Sequence, residues 1–134
     1  MCDCIFCKII KGELPSYKIF ENEYVYAFLD ISKDVDGHTL VIPKKHFKNV
    51  LDCDEKYLSE TIKAVKEISN HYISLGYNGV NVLNANNECS GQTVFHLHFH
   101  IIPRKDNDDI NAWPKFDGAK NSLEEMHKIL AMKC

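Results

Sequence analysis

Between Thr93 and Ile102 the chain reads Thr-Val-Phe-His-Leu-His-Phe-His-Ile-Ile, with imidazole and apolar side chains alternating. A period of two is the mark of a β-strand, whose successive side chains point to opposite faces of a sheet. On that reading His96, His98 and His100 share one face, while Phe95, Leu97, Phe99 and Ile101 share the other. The apolar face belongs against a core, so the strand is anchored and its imidazoles line a polar site. With 7 histidines in 134 residues, a given His-x-His-x-His window arises by chance about once in ten thousand. Histidines on a merely solvated face would leave the apolar alternation, and the Gly91-Gln92-Thr93 turn before it, without a reason.

The pattern around this strand predicts an α+β fold. Residues 4–11 read as a short helix with Ile5, Phe6 and Ile9 on one face, closed by Gly12 and Pro15. Residues 17–21 and 24–29 form a hairpin, 30–37 a turn, and 38–42 a third strand stopped by Pro43. Leu58, Ile62, Val65, Ile68, Tyr72 and Ile73 recur at three- and four-residue steps, predicting a long helix over 54–75 with Gly76 at its end. A strand at 79–84, a polar loop at 85–91 and the histidine strand at 93–102, ended by Pro103, follow. The tail holds Trp113-Pro114 and a short amphipathic helix near 122–131. The expected architecture is an antiparallel sheet of about five strands with one long helix, an N-terminal short helix and a C-terminal helix. No repeat or linker divides residues 1–134, so they read as a single domain with a core over 4–104 and a tail over 105–134.

Charge and composition narrow the function. A formal charge of −3 argues against a nucleic-acid surface, which needs a basic stripe. No apolar run approaches the roughly 20 residues that cross a bilayer, and Asp3, Lys8 and Lys11 interrupt any leader-like core. The expected location is the cytoplasm, where thiols stay reduced. Of the cysteines at 2, 4, 7, 53, 89 and 134, Cys4-x-x-Cys7 has the spacing of a metal or redox pair, and the others carry no pattern. His71 and His127 fall on helices and read as solvated. Arg104 is the only arginine, so forked arginine clamps on phosphate are scarce. Phosphate would have to be met by histidines, hydroxyls, lysines and backbone N–H groups.

Imidazole suits two tasks, metal ligation and nucleophilic or acid–base work near neutral pH. Same-face neighbours on a strand lie roughly 6.7 Å apart, so one orients another through the backbone or an intermediary. A nucleophilic ring needs one nitrogen free and its proton held on the other.

Gly91-Gln-Thr-Val-Phe-His-Leu-His-Phe-His-Ile-Ile102 resembles the signature of the histidine-triad superfamily. Cys4-Ile-Phe-Cys-Lys-Ile-Ile-Lys-Gly-Glu-Leu-Pro15, Ala27-Phe-Leu-Asp-Ile-Ser32 and Gly37-His-Thr-Leu-Val-Ile-Pro-Lys-Lys-His46 are similar to further blocks of that family, in its order. The resemblance implies that His98 is a nucleophile forming a nucleotidyl-histidine intermediate, oriented by His100, with His38 near the phosphate. Thr93 would contact the phosphate and leaving group, with Gly91 and Gln92 approaching the phosphate. Asp30 would bind the ribose hydroxyls, and Ile5, Phe6, Ile9, Phe28 and Ile31 would form the base pocket. Members often carry Asn or Gln eleven residues before the first triad histidine; here that position is Ala85, and Asn86 is taken as the substitute over Asn84.

Similarity to zinc-containing prokaryotic members implies a structural Zn²⁺ on Cys4, Cys7, His46 and His96, and no organic cofactor. It further implies a homodimer acting on purine nucleotides such as AMP derivatives, phosphoramidates and acyl-nucleotides among them. The blocks look closer to the nucleoside phosphoramidase branch than to dinucleoside polyphosphate hydrolases. The alternatives are such a polyphosphate hydrolase, a nucleotide-binding regulatory protein with vestigial activity, or a zinc-binding interaction module.

Overall fold

In the computed structural model, which describes residues 3–133, five strands make one antiparallel sheet. They are β1 (Lys18–Glu21), β2 (Val25–Leu29), β3 (Thr39–Pro43), β4 (Gly79–Leu83) and β5 (Phe99–Arg104), in the spatial order β1-β2-β3-β5-β4. Three α-helices accompany them: α1 (Ile5–Ile10), α2 (Glu55–Ser74) and α3 (Leu123–Leu130). Cys2 and Cys134 lie outside the described residues. None of the helices described is long and apolar enough to cross a membrane.

The sheet is covered on both faces. Val25 and Ala27 of β2, Val41 of β3, and Phe99 and Ile101 of β5 pack with Ala64, Val65, Ile68 and Tyr72 of α2. Tyr26, Phe28, Leu40 and Ile42 face the other way and enclose Phe6 of α1. β2 and β3 are therefore buried nearly throughout. α2 starts where the Asp54 carboxylate accepts the Tyr57 N–H at 2.8 Å, and Gly76, at φ +108°, follows its end. Ile62 and Ile73, expected in the core, are 46% and 44% exposed and form a second apolar edge.

Tyr72 also ties the helix to the sheet through a polar link. The Thr39 hydroxyl donates to the Gly37 carbonyl at 2.7 Å, so the Tyr72 hydroxyl, 2.6 Å away, donates to Thr39. Gly37 has φ +80°, and a Cβ there would stand 2.7 Å from the Pro103 ring. Both facts require glycine just before His38.

The histidine segment departs from expectation. Only Phe99–Arg104 is strand, and the chain bends at 94–96 instead of running extended from 93. Leu97 donates its N–H to the Phe47 carbonyl at 2.7 Å, outside the sheet. The two-residue alternation therefore fails for Phe95, which is 43% exposed with the Lys48 ammonium 5.3 Å from its ring centre. Pro103 does not end the strand: β5 continues to Arg104, with Pro103 paired to Val80 and lying beyond the last β3 residue that β5 pairs, next to Gly37. Pro43 likewise lies within β3, paired to Val25 at its end.

α3 begins with a capping box between Ser122 and Glu125 and buries none of its residues. Its helical periodicity was readable although no core receives it.

These placements separate two residues that the alternation treats alike. Leu97 is fully buried, so Leu97→Ala lowers the unfolding free energy by about 3 kcal/mol. Phe95→Ala lowers it by less than about 1 kcal/mol. Denaturant unfolding of the two variants measures both values.

Candidate active site and metal centre

The bend before β5 sends neighbouring imidazoles to different places. His96 is fully buried. Its Nε2 lies 2.9 Å from the Pro43 carbonyl, and an N–H there is the donor that the carbonyl requires. The proton thus sits on Nε2, and Nδ1 keeps its lone pair. That Nδ1 is 3.1 Å from His46 Nδ1, 3.4 Å from Cys4 Sγ and 3.5 Å from Cys7 Sγ, and Cys7 Sγ is 3.4 Å from His46 Nδ1. Burial pushes the His96 imidazole down to about 4, which keeps it neutral as a ligand must be.

The four donors fit a tetrahedral ion. Zinc–ligand bonds of about 2.3 Å to sulfur and about 2.05 Å to nitrogen put tetrahedral neighbours about 3.3 Å (two nitrogens) to about 3.8 Å (two sulfurs) apart. The separations of 3.1–3.5 Å lie close to those edges. All four ligand atoms fall within 4.8 Å of one another. Two thiols and two imidazoles fill a four-coordinate site and leave no position for substrate. α1 contributes the Cys7 thiol and its N-cap residue the Cys4 thiol, although the helix has only six residues and no side-chain cap, too short to hold itself. Phe6, between the two cysteines, packs edge-on against His96 and His98 at 5.8 and 5.3 Å.

His98 faces the other way. Its Nδ1 is 2.8 Å from the His96 carbonyl, so the proton is held on Nδ1 and the Nε2 lone pair is left for chemistry. Orientation runs through the backbone, one of the two routes the sequence left open, although residues 96–98 lie outside the strand. The pKa of His98 is lowered, chiefly by burial, against the raising effects of the His96 carbonyl and the Asp30 charge. The ring rests edge-on against His100, with centroids 4.9 Å apart.

His100 belongs to a second hydrogen-bonded chain. Its Nδ1 is 2.8 Å from His38 Nε2, and His38 Nδ1 is 2.9 Å from Asp34 Oδ1 and 3.7 Å from Asp30 Oδ2. Burial, then the neighbouring imidazoles, push His100 down to about 4, whereas the bond to His38 lowers Asp34. Asp30, His38 and His100 could also converge on an ion. The facing nitrogens of the two rings already bond each other, and the group reads better as a proton-carrying chain.

The residues expected to hold a nucleoside come together. Ile5, Phe6, Ile9, Phe28, Asp30, Ile31 and Thr93 line one cavity of about 420 Å³ with His98 and His100. Asp30 accepts the Ser32 N–H on Oδ1 at 2.8 Å. The sequence reading missed Leu14, Pro15, Ser16, Leu40 and Val94 in the same wall, because an apolar residue or a turn carries no mark of facing a ligand. Asp34 gave no signal either.

Two expected residues are engaged elsewhere. Gln92 is buried, its carbonyl accepting from Asn49 and the Asn87 N–H while its amide donates to the Lys48 and Val94 carbonyls. It braces the loop after Gly91, which sits at φ +100°, instead of aiming at a phosphate. Asn86 accepts the Val50 N–H and donates to Asn84. Asn84, the neighbour passed over, donates to the His98 carbonyl at 3.0 Å.

The HIT domain model matches residues 11–107. An uncharacterized HIT-like protein of Borreliella burgdorferi is 50% identical over 137 residues, covering 99% of this chain and 96% of its own. Adenosine 5'-monophosphoramidase HNT1 of Saccharomyces cerevisiae is 39% identical over 132 residues, covering 97% and 82%. The crystal structure of a Zn-bound histidine triad family protein from Mycobacterium smegmatis superimposes with a TM-score of 0.78 at 32% identity, over 86% of this chain and 84% of that one. With its three imidazoles divided between a thiol cluster and a nucleoside-sized cavity, the chain belongs to the histidine-triad (HIT) family.

Proposed function

We propose that this protein is a nucleotide hydrolase or transferase that cleaves nucleoside monophosphate derivatives at the α-phosphate through a nucleotidyl adduct on His98. The observation that carries this reading is the 2.8 Å bond from His98 Nδ1 to the His96 carbonyl. It fixes the tautomer and leaves Nε2 as a nucleophile beside the cavity that Asp30 borders. The similarity to a yeast adenosine 5'-monophosphoramidase supports the substrate class.

The nucleoside lies against Phe6, Phe28 and the isoleucines, with its ribose hydroxyls donating to Asp30. The Thr93 hydroxyl and backbone N–H groups after Gly91 meet the phosphate oxygens. The His98 Nε2 lone pair attacks phosphorus, the bond to the leaving group breaks, and its electron pair departs with the leaving atom. A water oxygen then displaces Nε2. The leaving atom takes up one proton and the water gives one up. The His38–His100 pair, backed by Asp34, is the nearest carrier for that exchange.

The thiol–imidazole cluster is read as a structural Zn²⁺ site formed by Cys4, Cys7, His46 and His96. When bound, the ion supplies cross-linking rather than chemistry: α1 is tied to the segment whose carbonyl orients His98. The protein is read as cytoplasmic, the compartment in which Cys4 and Cys7 would stay reduced and able to hold an ion. It is also read as a homodimer, supported by the exposed Ile62–Ile73 edge of α2 and by β4 with Val82 at the sheet margin.

Two measurements test these readings. His98→Ala lowers turnover of an adenosine 5'-phosphoramidate by at least about 10³-fold, while AMP still raises the melting temperature of the variant. Turnover at the parental rate would reject the assignment. Metal analysis of the purified protein gives one zinc per chain, and Cys7→Ser or prolonged chelation removes it with a fall in melting temperature. A protein that never holds zinc, and whose melting ignores chelator, excludes the metal reading.

A further inference from the structure

The segment that carries the two thiols also builds a wall of the nucleoside cavity. Cys4 caps α1 and Cys7 lies in its first turn, and their sulfurs stand 3.4 and 3.5 Å from His96 Nδ1. Ile5, Phe6 and Ile9 of the same helix line the cavity of about 420 Å³ beside His98. α1 has little of its own to keep it there. It has six residues, no side-chain cap and no acidic residue in its first turn, and Phe6 and Cys7 are its only buried residues. Such a short helix does not persist by its own hydrogen bonds. Phe6 packs edge-on against Phe28 at 5.5 Å, Ile9 and Ile10 pack partly buried, and the polar ties of the helix to the sheet run through the two sulfurs.

We propose that Cys4 and Cys7 are a reversible oxidation site, where a peroxide joins the two sulfurs as a disulfide and loosens α1 from the nucleoside cavity; the inference rests on the zinc and nucleotide readings above. Positions three apart on a helix have Cα atoms about 5 Å apart, inside the span of about 4.4–6.8 Å that disulfides bridge. The ligand atoms of the cluster already lie within 4.8 Å of one another, so the sulfurs meet by side-chain rotation. Cys4 is half-buried and Cys7 buried, which makes the Cys4 sulfur the one that an oxidant reaches. That sulfur attacks a peroxide oxygen, the O–O bond breaks, and a sulfenic acid and hydroxide result. The Cys7 sulfur then attacks the sulfenic sulfur, the S–S bond forms and a second hydroxide leaves. Two electrons pass from the sulfurs to the peroxide, and the hydroxides take up protons as water. Disulfide sulfurs are no longer thiolates, so the ligand set falls to His46 and His96, and α1 keeps only its apolar packing. Cys53 is a poor competitor for the oxidant, because burial, then Asp54 and Asp52, push its thiol up to about 11.

The test titrates the full-length, zinc-loaded protein with hydrogen peroxide while a chromophoric chelator reads released metal. One zinc leaves for every two thiols lost, and fragmentation of the peptide carrying residues 1–8 places the new disulfide between Cys4 and Cys7. AMP binds the oxidised protein at least about tenfold more weakly by calorimetry. Amide protection falls over residues 4–11, while β2 and β3 keep theirs. Dithiothreitol with added zinc restores the metal, the AMP affinity and the protection. Cys2→Ser and Cys89→Ser, which leave the pair intact, respond as the wild type does.

Zinc that stays bound while other thiols oxidise, a response lost in Cys2→Ser or Cys89→Ser, or a product that dithiothreitol does not reverse overturns the oxidation site. Zinc release with unchanged AMP affinity, or protection lost throughout the sheet, overturns the link to the cavity while the His98 reading stands. A reduced, zinc-loaded protein that neither binds AMP nor turns over an adenosine 5'-phosphoramidate rejects the nucleotide reading and the link with it. A chain that never holds zinc removes the metal reading and this proposal together.

Discussion

Everything at this site turns on residue 96, whose ring and carbonyl face different neighbourhoods. The ring is fixed from both sides, by the Pro43 carbonyl at Nε2 and by the thiol–imidazole cluster at Nδ1. The carbonyl, whose direction that anchoring sets, accepts the His98 proton. A metal-type cluster and the proposed nucleophile are thus linked through a single peptide unit. The second imidazole is orientable because the first is immobile, and a buried, neutral His96 can be immobile only because each of its nitrogens has a partner.

Burial governs the protonation of the site. His96, His98 and His100 are all held below the ordinary imidazole value, desolvation being the largest cause in each. Three imidazolium ions so close would repel one another in a poorly solvated place, and the neutral forms avoid that cost. Neutrality serves both tasks, since a metal ligand and a nucleophile each require a lone pair. Carboxylates stand behind the outer pair, Asp34 bonding His38 Nδ1 at 2.9 Å and Asp30 lying 3.7 Å from it.

The fold was legible where periodicity and burial coincide. The α2 repeat, the β1–β2 hairpin and the apolar residues of β5 each follow from a pattern that a core enforces. Legibility failed at residues 93–98. There hydrogen bonds from Gln92 to Lys48 and from the Leu97 N–H to Phe47, partners far back in the chain, override the local alternation. No sequence period records such partners. Phe95 was consequently misplaced, and Gln92, read as a phosphate contact, is a loop brace. At the site, Cys4, Cys7, His46 and His96 converge as the family resemblance implied. Asp30 and the five expected apolar residues share one cavity. Asp34 and Asn84 act through bonds to His38 and to a backbone carbonyl, contacts that only the folded chain creates.

The central claim is that Nε2 of His98 attacks phosphorus because its other nitrogen is locked. Rapid quenching of a single turnover, with enzyme in excess over an adenosine 5'-phosphoramidate, followed by peptide mass spectrometry, examines that step directly. The account predicts a transient adenylyl group on the peptide carrying residues 93–104, fragmenting to residue 98, that decays as AMP appears. An adenylyl group on His38 or His100, or AMP released at full rate with the protein unmodified at every quench time, would contradict it.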